Sequence, residues 1–359
     1  MKGMRIILLL DMDYFYAACE ELRNPDIKDK PVVVGADPKN GAGRGVVSTC
    51  NYIARKYGIR SGMPISTAYR LKKDAVYLPL DEKYYEEISA KIIAELRNFA
   101  TKLEQVSIDE AFLDISNIVS NYDDAIIYAQ KIKSAIASKF MLPCSIGIST
   151  SKLIAKMACE SAKPNGIKLV KEEESKAFLA PLPISKLYGV GIKSAEKLKA
   201  MGFNTIGDLA NASKQLLIKE FGSFGLEIYE HANGIDNEEV VESYETKSIS
   251  REHTFEYDTD SLDEIGKGII GLADEVMEEV KKQGFFFKTV TLKLRNERFE
   301  EHLHSKNLGY YTQDTDRLKK AATQLLERNV SDEKIRKIGL RVSSLIKSSG
   351  QKKIYDYLN

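Results

Sequence analysis

An unbroken apolar run, Ile6-Ile7-Leu8-Leu9-Leu10, leads directly into Asp11-Met12-Asp13-Tyr14-Phe15-Tyr16. Nothing else in the sequence constrains the fold as tightly. Continuous hydrophobicity over this length reads as a buried strand, not as a half-exposed one, which would alternate. The strand's end delivers acidic and aromatic side chains out of a core. The run is too short for a signal-peptide core and leads into acidic residues. No apolar stretch approaches the roughly 18–20 residues that a bilayer span requires.

At 359 residues the chain is too long for one ordinary core and long enough for two to four domains. Its 53 basic and 52 acidic residues leave a net charge of +1, so any nucleic-acid footprint must come from local clusters and backbone donors. Cys19, Cys50, Cys144 and Cys159 are scattered, with no C-x-x-C spacing. This argues against a zinc site or a disulfide framework and fits a reducing, cytoplasmic setting.

Along the chain, a strand at Val32-Val33-Val34 and a Gly-, Asp- and Asn-rich loop over 37–45 precede a strand at 46–49 and a helix from Asn51. Apolar residues at Ile88, Ile92 and Leu96 predict a helix over 83–99. Val106 to Ile115 reads as two short strands or a bent hairpin, followed by a helix over 123–140, a strand over 145–149 and a helix over 151–162. This order suggests a ferredoxin-like α+β unit. Beyond the break at Lys163-Pro164-Asn165-Gly166 comes a short helical region, then an acidic stretch, Asp236 to Glu245, without apolar periodicity, which reads as a linker. A last domain alternates strands with helices over 262–282 and 314–328.

Asp11 at the end of the buried strand and Asp109-Glu110 in the hairpin are the sharpest chemical signal. Three carboxylates buried together cost several kcal/mol unless cations join them. Magnesium favours such oxygen ligands, and two metals can serve phosphoryl transfer. Spacing alone does not bring Asp11 to Asp109. Asp13 and Asp114 read as structural or solvated.

Asp11-Met12-Asp13-Tyr14-Phe15-Tyr16-Ala17 resembles the D-x-D-x-F-(F/Y)-A opening of the Y-family DNA polymerases, and Ser107-Ile108-Asp109-Glu110-Ala111-Phe112 is similar to a second motif of that family. Asn51 to Pro64 resembles its finger helix, with Tyr52 and Arg55 in place. Ile146-Gly147-Ile148-Ser149, Lys152-Leu153-Ile154-Ala155-Lys156 and Lys163-Pro164-Asn165-Gly166 follow in family order. The closest resemblance is to the DinB, or polymerase IV, branch. It implies a right-hand polymerase: a ferredoxin-like palm (1–22 and 82–170), small fingers (23–81), a helical thumb (171–235), a linker (236–246), a βα little finger (247–346) and a clamp-binding tail (347–359).

The resemblance also implies roles. Asp11, Asp109 and Glu110, with the main-chain oxygen of Met12, would hold two Mg2+ ions. Tyr52, Arg55 and Lys163 would grip the triphosphate, and Tyr16 would be the steric gate that rejects a 2′-hydroxyl. Leu187 to Leu198 is similar to a helix-hairpin-helix, although Tyr188 stands where proline is usual. Gly189, Gly191 and Lys193 would there meet a DNA phosphate. Val290 to Arg295 and Ile335 to Ser343 alternate strictly, which puts Lys293, Arg295, Lys337 and Arg341 on one face, fit to follow a duplex backbone or simply to be solvated. Glu300, Glu301, His302 and His304 depart from the more basic strand of some relatives. Gln351, Ile354, Tyr357 and Leu358 resemble the peptide that docks on sliding clamps of archaeal and eukaryotic type. The expected partners are thus primer-template DNA, dNTPs and a clamp, with no membrane, and the chain is expected to be a monomer. Two other readings stay open: a nucleotidyl cyclase, which shares the palm carboxylates, and a non-catalytic clamp-bound scaffold.

Overall fold

The apolar run forms β1 (Ile7–Met12), every residue of which is buried. In the computed structural model, which describes residues 4–243, 245–329 and 333–347, the chain divides into two units, Met1–Ser243 and Tyr244–Asn359. In the first unit β1 is followed by α1 (Phe15–Arg23), β2 (Val32–Gly35), β3 (Val47–Cys50), α2 (Tyr52–Lys56), α3 (Ile65–Leu71), β4 (Val76–Leu78) and α4 (Glu82–Leu96). Next come β5 (Lys102–Gln105), β6 (Glu110–Asp114), α5 (Tyr122–Phe140), β7 (Cys144–Ser149), α6 (Lys152–Ala162) and β8 (Ile167–Leu169).

The main sheet runs β5-β6-β1-β7-β8, and β1 is antiparallel to both of its neighbours. With α4 leading to β5 and α5 leading to β7, this is the ferredoxin-like order, extended by β8 in parallel with β7. Its central position explains why β1 lacks alternation. Leu8 and Leu10 face one core with Ile92, Leu96 and Ile132, while Ile7 and Leu9 face another with Phe112, Ala155 and Cys159. Truncating Ile7, Leu8, Leu9 or Leu10 to alanine should cost about 2–5 kcal/mol. Gly147 on β7 lets α6 lie directly on the sheet, since a Cβ there would sit 2.0 Å from the Ala155 carbonyl oxygen.

The segment between β1 and α4 builds a small sheet, β3-β2-β4, with its own apolar core around Val33, Ile59 and Ile65. Asn51 caps α2 by accepting from the Ala54 N–H at 2.9 Å, and its amide donates to Glu21 at 2.8 Å. This fixes the helix start against α1. After β8, short helices α7 (Ser175–Leu179), α8 (Ile192–Ala200), α9 (Ile206–Ala210), α10 (Lys214–Phe221) and α11 (Ser223–Ala232) share a core with Leu153, Ile154 and Met157 of α6.

The acidic stretch that reads as a linker is docked over its first half. Asp236 accepts from the Leu153 N–H at 2.8 Å, and Val241 N–H donates to Glu104 at 2.9 Å. Lys152 lies 2.8 Å from Glu104 and 3.2 Å from Glu238. Val240 is 2 % exposed, packed with Ile7, Leu9 and Phe112. One apolar anchor held among side-chain-to-backbone bonds has no period, so pattern reading does not detect it.

The second unit comprises β9 (Ser248–Thr259), α12 (Leu262–Lys282), β10 (Phe285–Asn296), β11 (Glu301–Thr312), α13 (Thr315–Asn329), β12 (Ile335–Ser343) and β13 (Ile346–Lys347). Its sheet runs β11-β10-β12-β9. Val290, Leu292, Leu294, Ile338, Leu340 and Val342 are buried in a core with α12 and α13, as the alternation predicted. Gln351, Ile354, Tyr357 and Leu358 lie outside the described residues.

Candidate active site

Strand pairing brings together the acidic residues that lie a hundred positions apart. Asp11 on β1 is the direct antiparallel partner of Glu110 on β6, and Met12 N–H donates to the Asp109 carbonyl at 2.9 Å. Asp11 is 7 % exposed and Glu110 8 %, while Asp109 is half-buried. The Ser107 hydroxyl donates to Asp109 Oδ1 at 2.6 Å and turns it.

Two lysines neutralise the buried pair. Lys163, at the end of α6, places Nζ 2.8 Å from Asp11 Oδ2 and 2.6 Å from Glu160. Lys156, on α6, pairs with Glu110. Burial pushes the Asp11 carboxyl up to about 7; Lys163 opposes the rise, and Asp109 and Glu110 add to it. Burial would lower the Lys163 ammonium, but Asp11 and Glu160 outweigh it and hold it above the usual lysine range. Among the described residues, one group of possible metal ligands has its ligand atoms within 4.8 Å of one another, and it is Glu300, His302 and Glu333 in the second unit. The three carboxylates of the first unit do not form such a group; each is held by a partner, Lys163, Ser107 or Lys156.

Around them opens a cleft of about 360 Å³, lined among others by Asp11, Met12, Tyr16, Arg55, Asp109 and Lys163. Tyr52 donates to Asp13 Oδ1 at 3.3 Å and packs edge-on against Tyr14, and the Arg55 guanidinium stands 4.7 Å from its ring centre. Burial, and then Asp13, push the Tyr52 phenol up to about 12. The half-buried Tyr16 stacks on Tyr85. Of the two readings the sequence left for Asp13, structural or solvated, its 1 % exposure and hydrogen bonds fit the first. Sequence reasoning did not single out Lys156 or Tyr85, whose places beside Glu110 and Tyr16 depend on packing.

In the helical region Gly189 adopts φ +90 in the turn before α8, which begins at Ile192 with Gly191 as its cap. Lys193 is exposed. The first element of this hairpin is a single 3-10 turn, Ile184–Lys186. In the second unit Lys293, Arg295 and Lys337 share one sheet face but are internally paired. Glu252 lies 2.8 Å from Lys293 and 2.7 Å from Lys337, and Glu301 lies 3.0 Å from Lys293 and 2.5 Å from Arg295. Arg341 is exposed. No helix among the described residues is long and apolar enough to cross a membrane.

Comparison with known proteins agrees with this geometry. Residues 10–160 match the impB/mucB/samB family, residues 246–354 its C-terminal domain, and residues 185–236 the thumb domain of DNA polymerase-iota. The chain is 43 % identical over 341 residues to DNA polymerase IV 2 of Methanosarcina mazei, covering 95 % of this chain and 92 % of that protein. It is 43 % identical over 343 residues to DNA polymerase IV of Methanoculleus marisnigri, covering 96 % and 95 %. Among solved structures, a Y-family DNA polymerase chimera of Dbh and Dpo4 superposes with a TM-score of 0.87 at 30 % identity, covering 96 % of this chain and all 100 % of that one. DinB from Sulfolobus solfataricus gives 0.63 at 29 % identity, with 96 % and 100 % covered. Carboxylates on adjacent palm strands, the small three-stranded fingers and these matches together show that the chain belongs to the Y family of translesion DNA polymerases, in its DinB, or polymerase IV, branch.

Proposed function

We propose that this cleft adds a deoxynucleotide to a primer 3′-hydroxyl opposite a template base, damaged bases included, and releases pyrophosphate. The observation that carries the reading is Asp11 paired directly across from Glu110, with Asp109 adjacent and Lys163 2.8 Å away. Three carboxylates and the Met12 carbonyl are hard oxygen donors, the chemistry that Mg2+ selects. Burial holds the Asp11 carboxyl up at about 7, with Lys163 opposing the rise and Asp109 and Glu110 adding to it. When bound, two Mg2+ ions would activate the attacking hydroxyl and offset charge on the leaving pyrophosphate.

Asp11, Asp109, Glu110 and Met12 are the residues that would hold these ions. Tyr52, Arg55 and Lys163 grip the triphosphate, supplying charge-assisted hydrogen bonds to its oxygens. Tyr16 lies under the sugar and rejects a 2′-hydroxyl by bulk. The Gly189, Gly191 and Lys193 turn takes a phosphate of the primer-template, and the face of Lys293, Arg295, Lys337 and Arg341 follows the duplex backbone without reading sequence. Gln351, Ile354, Tyr357 and Leu358 tether the enzyme, a monomer, to a sliding clamp of archaeal or eukaryotic type.

Primer extension on undamaged and abasic templates, with and without Mg2+, tests the reading. Asp109→Asn should lower insertion by on the order of a thousandfold. Absence of extension by the unaltered chain, with cyclic nucleotide formed instead, would overturn it.

A further inference from the structure

Asp13 receives hydrogen bonds from three separate stretches of the chain while being 1 % exposed. Its Oδ1 accepts from the Tyr52 hydroxyl at 3.3 Å, at the start of α2. Its Oδ2 accepts from the Asn165 N–H at 2.7 Å. The Ser145 hydroxyl, on β7, reaches both carboxylate oxygens at 3.0 and 3.1 Å, and the Gly166 N–H donates to that same hydroxyl at 3.3 Å. The backbone of Asp13 is fixed as well, its N–H donating to the Pro143 carbonyl at 3.0 Å.

The groups tied to this carboxylate are not a random sample of the core. Tyr52 comes from the small three-stranded region, and its ring carries Arg55 above it. Asn165 follows Lys163 by two positions, so an anchor at Asn165 sets where the Lys163 side chain begins its reach towards Asp11. An aspartate used only to fill the core would not need to collect donors from the start of α2, from β7 and from the turn after α6. A buried carboxylate is costly unless its oxygens are filled, and here they are.

We propose that Asp13 is a positioning residue for the incoming nucleotide: one buried carboxylate ties Tyr52 and the Lys163–Asn165 turn to a single point and so sets the spacing of the groups that grip the triphosphate. The inference rests on the reading of Tyr52 and Lys163 given under the proposed function. It explains why the second acidic residue of the opening motif is buried and not directed to solvent. Losing a charged acceptor from such a point should displace its donors by a fraction of an ångström, enough to weaken a multi-point grip.

Single-turnover insertion on an undamaged primer-template, with the full chain, tests it. Asp13→Asn should raise the dNTP dissociation constant about tenfold, the usual effect of losing a hydrogen bond to a charged group, with primer-template affinity unchanged. In a Tyr52→Phe, Lys163→Ala background the same change should add less than about twofold, because the groups it positions are gone. An equal effect in both backgrounds, or a lowered Tm with no change in nucleotide affinity, would overturn the proposal. Should Asp13→Asn fail to fold, Ser145→Ala, which removes one donor beneath Asp13, should still raise the dNTP dissociation constant about threefold. No rise would count against the proposal equally. Tyr52→Phe and Lys163→Ala, each alone, keep the two ideas apart: if neither weakens nucleotide binding, the reading of the grip fails. If both do and Asp13→Asn does not, only the positioning role fails.

Discussion

Tyr16 lies nearly flat against Tyr85, with ring centroids 4.5 Å apart and planes at 17°. Tyr85 is fully buried, and its hydroxyl donates to Glu20 at 2.8 Å. The proposed gate, Tyr16, is therefore backed by a buried ring that is itself fastened by a hydrogen bond. Tyr16→Ala should raise ribonucleotide incorporation sharply. Tyr85→Ala should raise it less, by loosening Tyr16, and lower stability by about 3–5 kcal/mol as a large buried ring is lost. Insertion ratios for rNTP against dNTP, with a melting curve for each variant, check both.

Lys156 and Glu110 form a buried pair, with side chains 17 % and 9 % exposed. Removing the cation leaves an uncompensated carboxylate next to Asp11. Lys156→Met should destabilise the protein in EDTA by about 3 kcal/mol, because breaking a buried pair costs more than the pair itself contributes. Added Mg2+ or Mn2+ should restore much of the loss. Tm measured with and without metal checks this; a drop that metal does not relieve would count against Glu110 as a ligand.

Glu252 and Glu301 occupy Lys293, Arg295 and Lys337 on the second unit's sheet face. A DNA phosphate approaching these three cations would have to compete with them. Glu252→Gln with Glu301→Gln should tighten duplex binding and steepen its salt dependence by about one to two in the log–log slope. Burial raises the Glu252 carboxyl, but Lys293 and Lys337 more than offset it; Lys293 and then Arg295 hold Glu301 low. Both folded values lie below the unfolded one, so this network's stabilisation is complete above the ordinary glutamate range, near 4.5, and fades as the pH falls through the lowered values. Between pH 5.5 and 8 the ion pairs should leave DNA affinity unchanged. Fluorescence anisotropy across salt and pH tests both statements.

Lys152 and Glu104 pair at 2.8 Å with side chains 8 % and 3 % exposed, and this pair holds the strap that contains Glu238 and Val241. Lys152→Met should cost about 3–5 kcal/mol. It should also make the amides of residues 238–241 exchange faster with solvent than in the unaltered chain. Hydrogen exchange resolves that effect from a general loss of stability, which would speed exchange throughout.

The sequence determined much here. A run of apolar residues from Ile6 to Leu10 admits only a covered strand, and strict alternation at Val290, Leu292 and Leu294 assigns their face before any coordinate is known. Local order is legible because it depends on neighbours within one turn or one pleat. Tertiary structure alone decided which distant groups meet: that Asp11 faces Glu110, that Lys156 and not solvent answers that carboxylate, that Asp13 is buried among Tyr52, Ser145 and Asn165, and that Val240 anchors an acidic strap. Those meetings are set by sheet register and helix packing between residues from 39 to 152 positions apart and more, and a charged side chain's worth depends on the partner and burial it finds there. Spacing along the chain carries neither.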